Sequence, residues 1–421
     1  MESITKNIVE REVDSMRFFA SHTSAKDVVS IEGSVLGGSY TLPRSKEFAA
    51  YISGDLLDAG TTEHDKDSLR ERLGARGISL SFSTGGDRTY FSASCLPEDV
   101  SLVFSTITEC LRSSLFRPTE VKLVLERTKS ELMEEKSETR AQASQEIKRL
   151  LYDKSHALYA ETTAARLKNL SEITPKEVRD FGKKLGRKGL ILSMVGDIDP
   201  KKAINQAEKS FGTLREGTFE KMPVKMNSKI VTANESLVSI QHKTSIDTIL
   251  AVSVPLTETD SRYLPLSMLT LMLGGSGFTS HLMKTIRERD GLTYDVRAQL
   301  VGFGDGLDGF FRVYASFSPD QFKHSVAQLR KEIGLFFKNG ITEKELAAQK
   351  LEAAARYLIG LSTTRGLART LHTIGAQGRP LFYLDEYPLL VQNITLEQVQ
   401  KVAPLIPLDK LSLAAAGTFV K

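Results

Sequence analysis

The chain has 421 residues, 41% hydrophobic and 26% charged, which is the composition of a globular protein with enough apolar material for two or three cores. Its 56 basic residues are interleaved with 52 acidic ones, for a net charge of +4, so there is no basic stripe of the kind that binds nucleic acid. Two cysteines, Cys95 and Cys110, exclude a disulfide framework and read as buried free thiols; no run is long enough to span a membrane, and the first residues lack a signal-peptide core.

Strand-like alternation comes first, at Arg17–Ala20 and Val28–Val35, and ends in glycines and Pro43. Residues 46–57 read as a helix with Ala49, Ile52 and Leu56 on one side. A second helix follows Thr61-Thr62-Glu63, with Leu69 and Leu73 four apart. Ile78–Ser83 and Thr89–Ser94 read as strands of a hairpin, because Gly85-Gly86-Asp87 supplies turn chemistry between them. Ser101–Ser113 carries Val103, Thr106, Ile107 and Cys110 on one helical stripe. Pro118 opens a long charged helix to about Glu135, Ala141–Tyr152 is another helix, Gly189–Val195 a strand and Lys201–Phe211 a helix. The order then recurs: strand Thr248–Val254, helix Tyr263–Leu273, the glycine loop Gly274-Gly275-Ser276-Gly277, a helix to Arg289, a strand from Leu292, a strand over Arg312–Pro319, a helix over Gln321–Phe337 and a long helix opened by Thr342-Glu343.

This recurrence is a repeat. Ile173-Thr174-Pro175-Lys176-Glu177-Val178, leading to Val195-Gly196-Asp197, returns 221 residues later as Ile394-Thr395-Leu396-Glu397-Gln398-Val399, leading to Ala416-Gly417-Thr418. A period this long means a duplicated domain and not a solenoid. The expected division is residues 1–216, a polar linker at 217–234 that contains Pro223, and residues 235–421. Hairpin-joined strands with helices grouped between them predict an α+β fold of two homologous domains, each a mostly antiparallel sheet packed with helices.

Metal chemistry finds little support in the residues. No two of the seven histidines lie within one helical turn, and H-E-x-x-H, H-x-x-E-H and C-x-x-C are all absent. Glu63, His64 and Asp65 are adjacent, but consecutive side chains rarely converge on one ion. The glycine loop is not followed by Gly-Lys-Ser/Thr and so is no phosphate cradle; Ser276 or Thr279 suits a helix cap. Arg287, ending a helix, and Tyr294, beginning the next strand, are explained on residue grounds alone by the helix dipole and by strand packing.

Over nearly its whole length the chain resembles the pitrilysin / mitochondrial processing peptidase family of zinc metallopeptidases. The resemblance rests on the duplicated order, on Val195-Gly196-Asp197-Ile198-Asp199, and on Leu273-Gly274-Gly275 through Tyr294. It implies a clamshell of four such domains, two per half, in which the catalytic half carries H-x-x-E-H just before a Gly-Thr pair. Counted back from Gly60-Thr61, the matching positions here are Tyr51, Gly54 and Asp55. Two imidazoles are replaced by a phenol and a carboxylate, and the general base by glycine. Glu131, near the expected third ligand, then reads as part of a solvated helix face. The resemblance further implies that Arg287 and Tyr294 act as substrate clamps and oxyanion donors for a zinc held by the other half, and that Gly274, Gly275 and Gly277 contact substrate.

The leading expectation is therefore a non-catalytic half that encloses unfolded peptide, holds no metal or other cofactor itself, and lends Arg287 and Tyr294 to a zinc-bearing homologous partner. The alternative is a structural core subunit of a larger complex with no proteolytic role. Extended peptide is expected to add to a sheet edge, with Ile78–Ser83 and Thr89–Ser94 as the candidate strands. A complete chain would be cytoplasmic; loss of a targeting segment would make it periplasmic or organellar.

Overall fold

The computed structural model describes residues 3–222 and 232–420. The first repeat runs β1 (Ile8–Val13), β2 (Met16–His22), β3 (Val29–Leu36), α1 (Glu47–Asp55), α2 (Lys66–Gly74), β4 (Ser79–Gly85), β5 (Arg88–Cys95), α3 (Val100–Ser113), α4 (Pro118–Glu135), α5 (Thr139–Leu151), α6 (Thr163–Ser171), α7 (Pro175–Gly182), β6 (Ile191–Gly196) and α8 (Pro200–Phe211). The second runs β7 (Glu235–Ser239), β8 (Ile246–Ser253), α9 (Tyr263–Thr270), β9 (Val296–Val301), β10 (Phe310–Phe317), α10 (Phe322–Asn339), α11 (Glu343–Leu361), α12 (Thr364–Ala376), α13 (Tyr383–Gln392), α14 (Leu396–Val402) and β11 (Ser412–Gly417).

The duplicated motif has a local physical meaning. Thr174 and Thr395 are the N-caps of α7 and α14, and each closes a capping box, with Glu177 and Gln398 respectively. The glycines at the other end of the motif, Gly196 and Gly417, have φ of +154° and +157°. A Cβ at these positions would lie 2.8 Å from Val29 Cα and 2.7 Å from Ser245 O, so only glycine ends β6 and β11 without strain.

Two compact units form, one around each sheet, and they cross the sequence repeat. The first is Met1–Ser130, Arg166–Met222 and Arg356–Tyr387; the second is Glu131–Ala165, Pro223–Ala355 and Pro388–Lys421. The division at 217–234 follows the repeat, and part of that stretch lies outside the described residues. The units themselves exchange a helix: α5, from the first repeat, belongs to the second unit, and α12, from the second repeat, to the first.

In the first unit the sheet order is β1-β2-β6-β3-β5-β4, antiparallel except for β2 beside β6. On one face Phe91 of β5 stacks on Phe211 of α8, with Phe104 of α3 edge-on to it. On the other face α12 packs Leu367, Leu371 and Ile374 against Phe19, Ile191 and Val195. In the second unit the order is β7-β11-β8-β10-β9, with only β7 and β11 parallel. Here α5 packs Ala143, Ile147 and Leu151 on Ile249, Ala251, Phe310, Ala414 and Ala416. The expected α+β fold on mostly antiparallel sheets is present in both units.

Three expectations need correction. Thr89–Ser94 lies in β5, which is paired on both sides, so of the two candidate docking strands only β4 is a sheet edge. The helix from Tyr263 is α-helical to Thr270 and continues as a π-helical turn, Leu271–Gly275. The strand placed from Leu292 begins at Val296, so Tyr294 lies in the loop before β9. Thr293 explains this last shift. Its hydroxyl donates to Ser316 O at 2.5 Å and accepts from Asp295 N at 3.2 Å, satisfying groups that a strand ladder would otherwise use.

Candidate functional site

The positions of the altered metal motif lie on α1. Tyr51 and Asp55 are one helical turn apart and both reach the surface, which is the spacing two metal ligands need; Ile52, Ser53 and Gly54 face inward. Burial of the Tyr51 phenol raises its pKa, so it stays neutral and is a poor ligand, even though the residue is 36% exposed overall. Asp55 Oδ2 accepts a hydrogen bond from Arg127 Nη2 at 2.6 Å. Glu131 is exposed on α4.

Gly54 is held by packing as well as by identity. A Cβ there would overlap the Thr84 hydroxyl and would lie 2.8 Å from the Thr84 backbone N and 2.9 Å from its Cβ. Edge strand β4 therefore occupies the space in which a general-base side chain would begin. The second unit repeats the device: a Cβ on Gly274 would lie 2.5 Å from Ala298 N, on edge strand β9. Gly54 and Gly274 stand almost one repeat period apart, and each lets a helical turn press onto the edge strand of its own sheet. A phenol, a glycine and an arginine-paired carboxylate do not fit a catalytic zinc ion, which takes imidazole or carboxylate ligands and a nearby base.

The second candidate pair is brought together. Arg287 lies in a π-helical turn, Met283–Arg289, and Tyr294 in the loop that follows. Arg287 Cζ sits 4.3 Å from the centroid of the Tyr294 ring, and Tyr294 is 83% exposed. The loop between them is fixed by backbone bonds from Gly291 N to Arg287 O at 3.2 Å and from Leu292 N to Ile286 O at 3.0 Å. A cation–π contact this exposed contributes only about 0.5–1 kcal/mol. It sets the guanidinium of half-buried Arg287 beside an exposed phenol, and both groups are hydrogen-bond donors.

In the glycine loop, Gly275 would place a Cβ 2.8 Å from Leu271 Cδ2, Gly277 has φ of +57° with open space beside it, and Ser276 donates to the Gln349 side chain. Gly274 is thus a packing glycine, whereas Gly277 is exposed and needs its left-handed backbone. One π-helical turn runs into this loop through Gly274 and Gly275 and a second follows it, a rare feature often found at functional sites and one that residue periodicity does not reveal.

A further acidic group was not foreseen. Glu63 and His64 meet Glu109 of α3, while Asp65 turns away to cap α2 by accepting from Ser68 N at 2.8 Å. The cluster is already neutralised. Arg112 Nη2 pairs with Glu63 at 2.5 Å, Arg72 Nη1 with Glu109 at 3.7 Å, and Glu109 also accepts from the Thr61 hydroxyl and lies 3.0 Å from His64 Nδ1. It braces the turn at Gly60-Thr61.

Residues 17–162 match the profile of insulinase (peptidase family M16), and residues 172–352 match that of the peptidase M16 inactive domain. The chain belongs to the M16 peptidase family. Residues 172–352 match the domain described as inactive, and H-x-x-E-H does not occur in the sequence. Among its M16 relatives, an uncharacterized zinc protease of Streptomyces coelicolor is 22% identical over 378 residues, 88% of this chain and 80% of that protein. The non-peptidase homolog YmxG of Helicobacter pylori is 22% identical over 373 residues, 87% and 82% of the two chains. The crystal structure of a peptidase M16 inactive domain from Pseudomonas fluorescens superposes with a TM-score of 0.88 at 20% identity, covering 98% of this chain and 99% of that one. The periplasmic protease PqqL from Escherichia coli superposes at 0.79 and 14% identity, and this chain spans 46% of its length.

Proposed function

We propose that this M16 chain is the non-catalytic half of a zinc metalloendopeptidase. In this reading it binds no catalytic zinc, joins a homologous half that carries H-x-x-E-H, and helps to enclose unfolded peptide. One observation carries the reading: half-buried Arg287 is stacked on exposed Tyr294, while the base position, Gly54, is closed by β4. The length of PqqL, about twice that of this chain, is in keeping with a protease built from two such halves, as separate subunits or in one polypeptide. The partner supplies the metal. This chain supplies donors for the negative charge that develops on the scissile carbonyl oxygen. Extended substrate would add to an exposed sheet edge, for which β4 is available.

No helix among the described residues is long and apolar enough to cross a membrane. The test is reconstitution. Mixed with an H-x-x-E-H homologue, the chain should raise peptide cleavage, and Arg287→Ala or Tyr294→Phe should each lower kcat/KM by about 10²–10³-fold, as loss of one oxyanion donor does. Stimulation that survives both substitutions would refute the assigned roles. A stable complex with no cleavage of any peptide would instead favour a structural core subunit.

A further inference from the structure

Packing does not explain Arg312. It lies part-buried on β10, and its Nε and Nη2 donate to Gln299 Oε1 on β9 at 3.2 and 2.7 Å. The ionisable groups that act on it are Arg140 and Tyr314; burial first, then Arg140, hold its pKa below the usual arginine range. Among the described residues no carboxylate pairs with it. Arg140, at the start of α5, places Cζ 4.1 Å from the Tyr314 ring centroid and gives Nη2 to Asp295 Oδ2 at 2.9 Å. Arg297 Nε takes Asp295 Oδ1 at 2.7 Å. The remaining acid, Asp247, is buried and accepts from the hydroxyls of Tyr314 and Thr139. Two guanidinium groups, those of Arg140 and Arg297, thus share Asp295, and Arg312, a half-desolvated cation, faces a second cation. Taking a cation out of water with no counter-charge costs free energy, so packing alone would favour an apolar residue at 312.

We propose that Arg312, Arg140 and Gln299 form a subsite that binds a carboxylate of the peptide substrate. The inference rests on the peptide-binding role argued above and names the class of peptide preferred. The planar fork of arginine matches a carboxylate in two-point geometry, and Gln299 fixes the orientation of that fork. Gln299 and Arg312 are directly paired in the sheet and so share one face. Arg297 and Gln299 follow Tyr294 by three and five residues, roughly 10–17 Å of extended chain. A peptide held at Tyr294 would therefore present a side chain, or its own C-terminus, a few residues along.

The experiment measures binding of fluorescein-labelled decapeptides to the full chain by anisotropy. The probes are a Glu-rich peptide with an amidated C-terminus, its Gln counterpart amidated, and the Gln counterpart with a free C-terminus. A carboxylate-bearing probe should bind at least roughly tenfold more tightly than the amidated Gln peptide at low salt, the gap should close as salt rises, and Arg312→Gln should abolish it. Preference for the Glu peptide assigns the subsite to an acidic side chain, and preference for the free C-terminus assigns it to the chain end. Arg312→Met should melt no lower than the unaltered protein; a clear drop would show a structural arginine and overturn the proposal. Equal affinity for all three probes overturns the subsite but leaves peptide binding intact, whereas no binding of any probe overturns both.

Discussion

Gly54→Ala has a sign opposite to the one helix propensity gives. In an unobstructed helix, replacing glycine by alanine stabilises by about 1 kcal/mol. At position 54 the new Cβ would sit 2.8 Å from Thr84 N, roughly 0.7 Å inside ordinary carbon contact of about 3.5 Å, and it would also overlap the Thr84 hydroxyl. The atom it strikes is strand backbone, so α1 or β4 has to move, at about 1–3 kcal/mol. Set against the propensity gain, the expected net is a loss of up to about 2 kcal/mol. Gly334, inside α10 with nothing within 4 Å of its would-be Cβ, is the internal control, and Gly334→Ala should stabilise. Gly54→Glu adds the cost of a carboxylate against buried backbone and should lose more than 4 kcal/mol. Restoring the motif by Tyr51→His, Gly54→Glu and Asp55→His should therefore yield a poorly folded protein and no working metal site. Urea denaturation of the four variants reads all of this. A higher midpoint for Gly54→Ala, equal to that of Gly334→Ala, would refute the claim that β4 closes this position.

Two more outcomes follow from buried groups. His372 of α12 lies in the first unit with Nε2 2.7 Å from Ser34 Oγ, which itself accepts from Arg88 Nε at 2.6 Å, so the Ser34 proton goes to a neutral imidazole. Burial first and Arg88 second depress its pKa from 6.5 to about 4. The unfolded chain then binds the proton more readily than the folded one. The contribution is complete above pH 6.5 and falls by about 3 kcal/mol as the pH drops to about 4. Urea midpoints measured across that range should show the slope and His372→Gln should flatten it; an unchanged slope would place the acid lability elsewhere. Cys95 and Cys110 are both buried, with burial pushing the first thiol up to about 12 and the second higher still. An aromatic disulfide reagent should find no reactive thiol in the native protein and two after denaturation; rapid native labelling would contradict the packing of β5 or α3.

The parts of the fold that were legible in the sequence are those set by local chemistry. The repeated Ile-Thr motif is a pair of capping boxes, and the hairpin of β4 and β5 is written in Gly85-Gly86-Asp87. Two features were hidden because nothing local encodes them. The stripe Ala143, Ile147 and Leu151 shows that α5 covers something apolar but not which sheet, and so the helix exchange between units was invisible. The role of Gly54 depends on the approach of Thr84, thirty residues away in the chain. At the candidate site, Arg287 and Tyr294 were singled out by the family resemblance, since on residue grounds alone they read as a helix end and strand packing. Their stacking depends on a π-helical turn and on Thr293 ending the loop, and periodicity signals neither. Arg312 read as one more strand residue, because the lack of a counter-charge is a property of its surroundings.

The account depends most on this chain being unable to build the metal-activated nucleophile by itself. Zinc content and peptidase activity, measured together on the purified chain with and without a chelator, test that directly. The expected result is far less than one zinc per chain and no cleavage that the chelator abolishes. One zinc per chain, with peptide hydrolysis that stops on chelation, would contradict it.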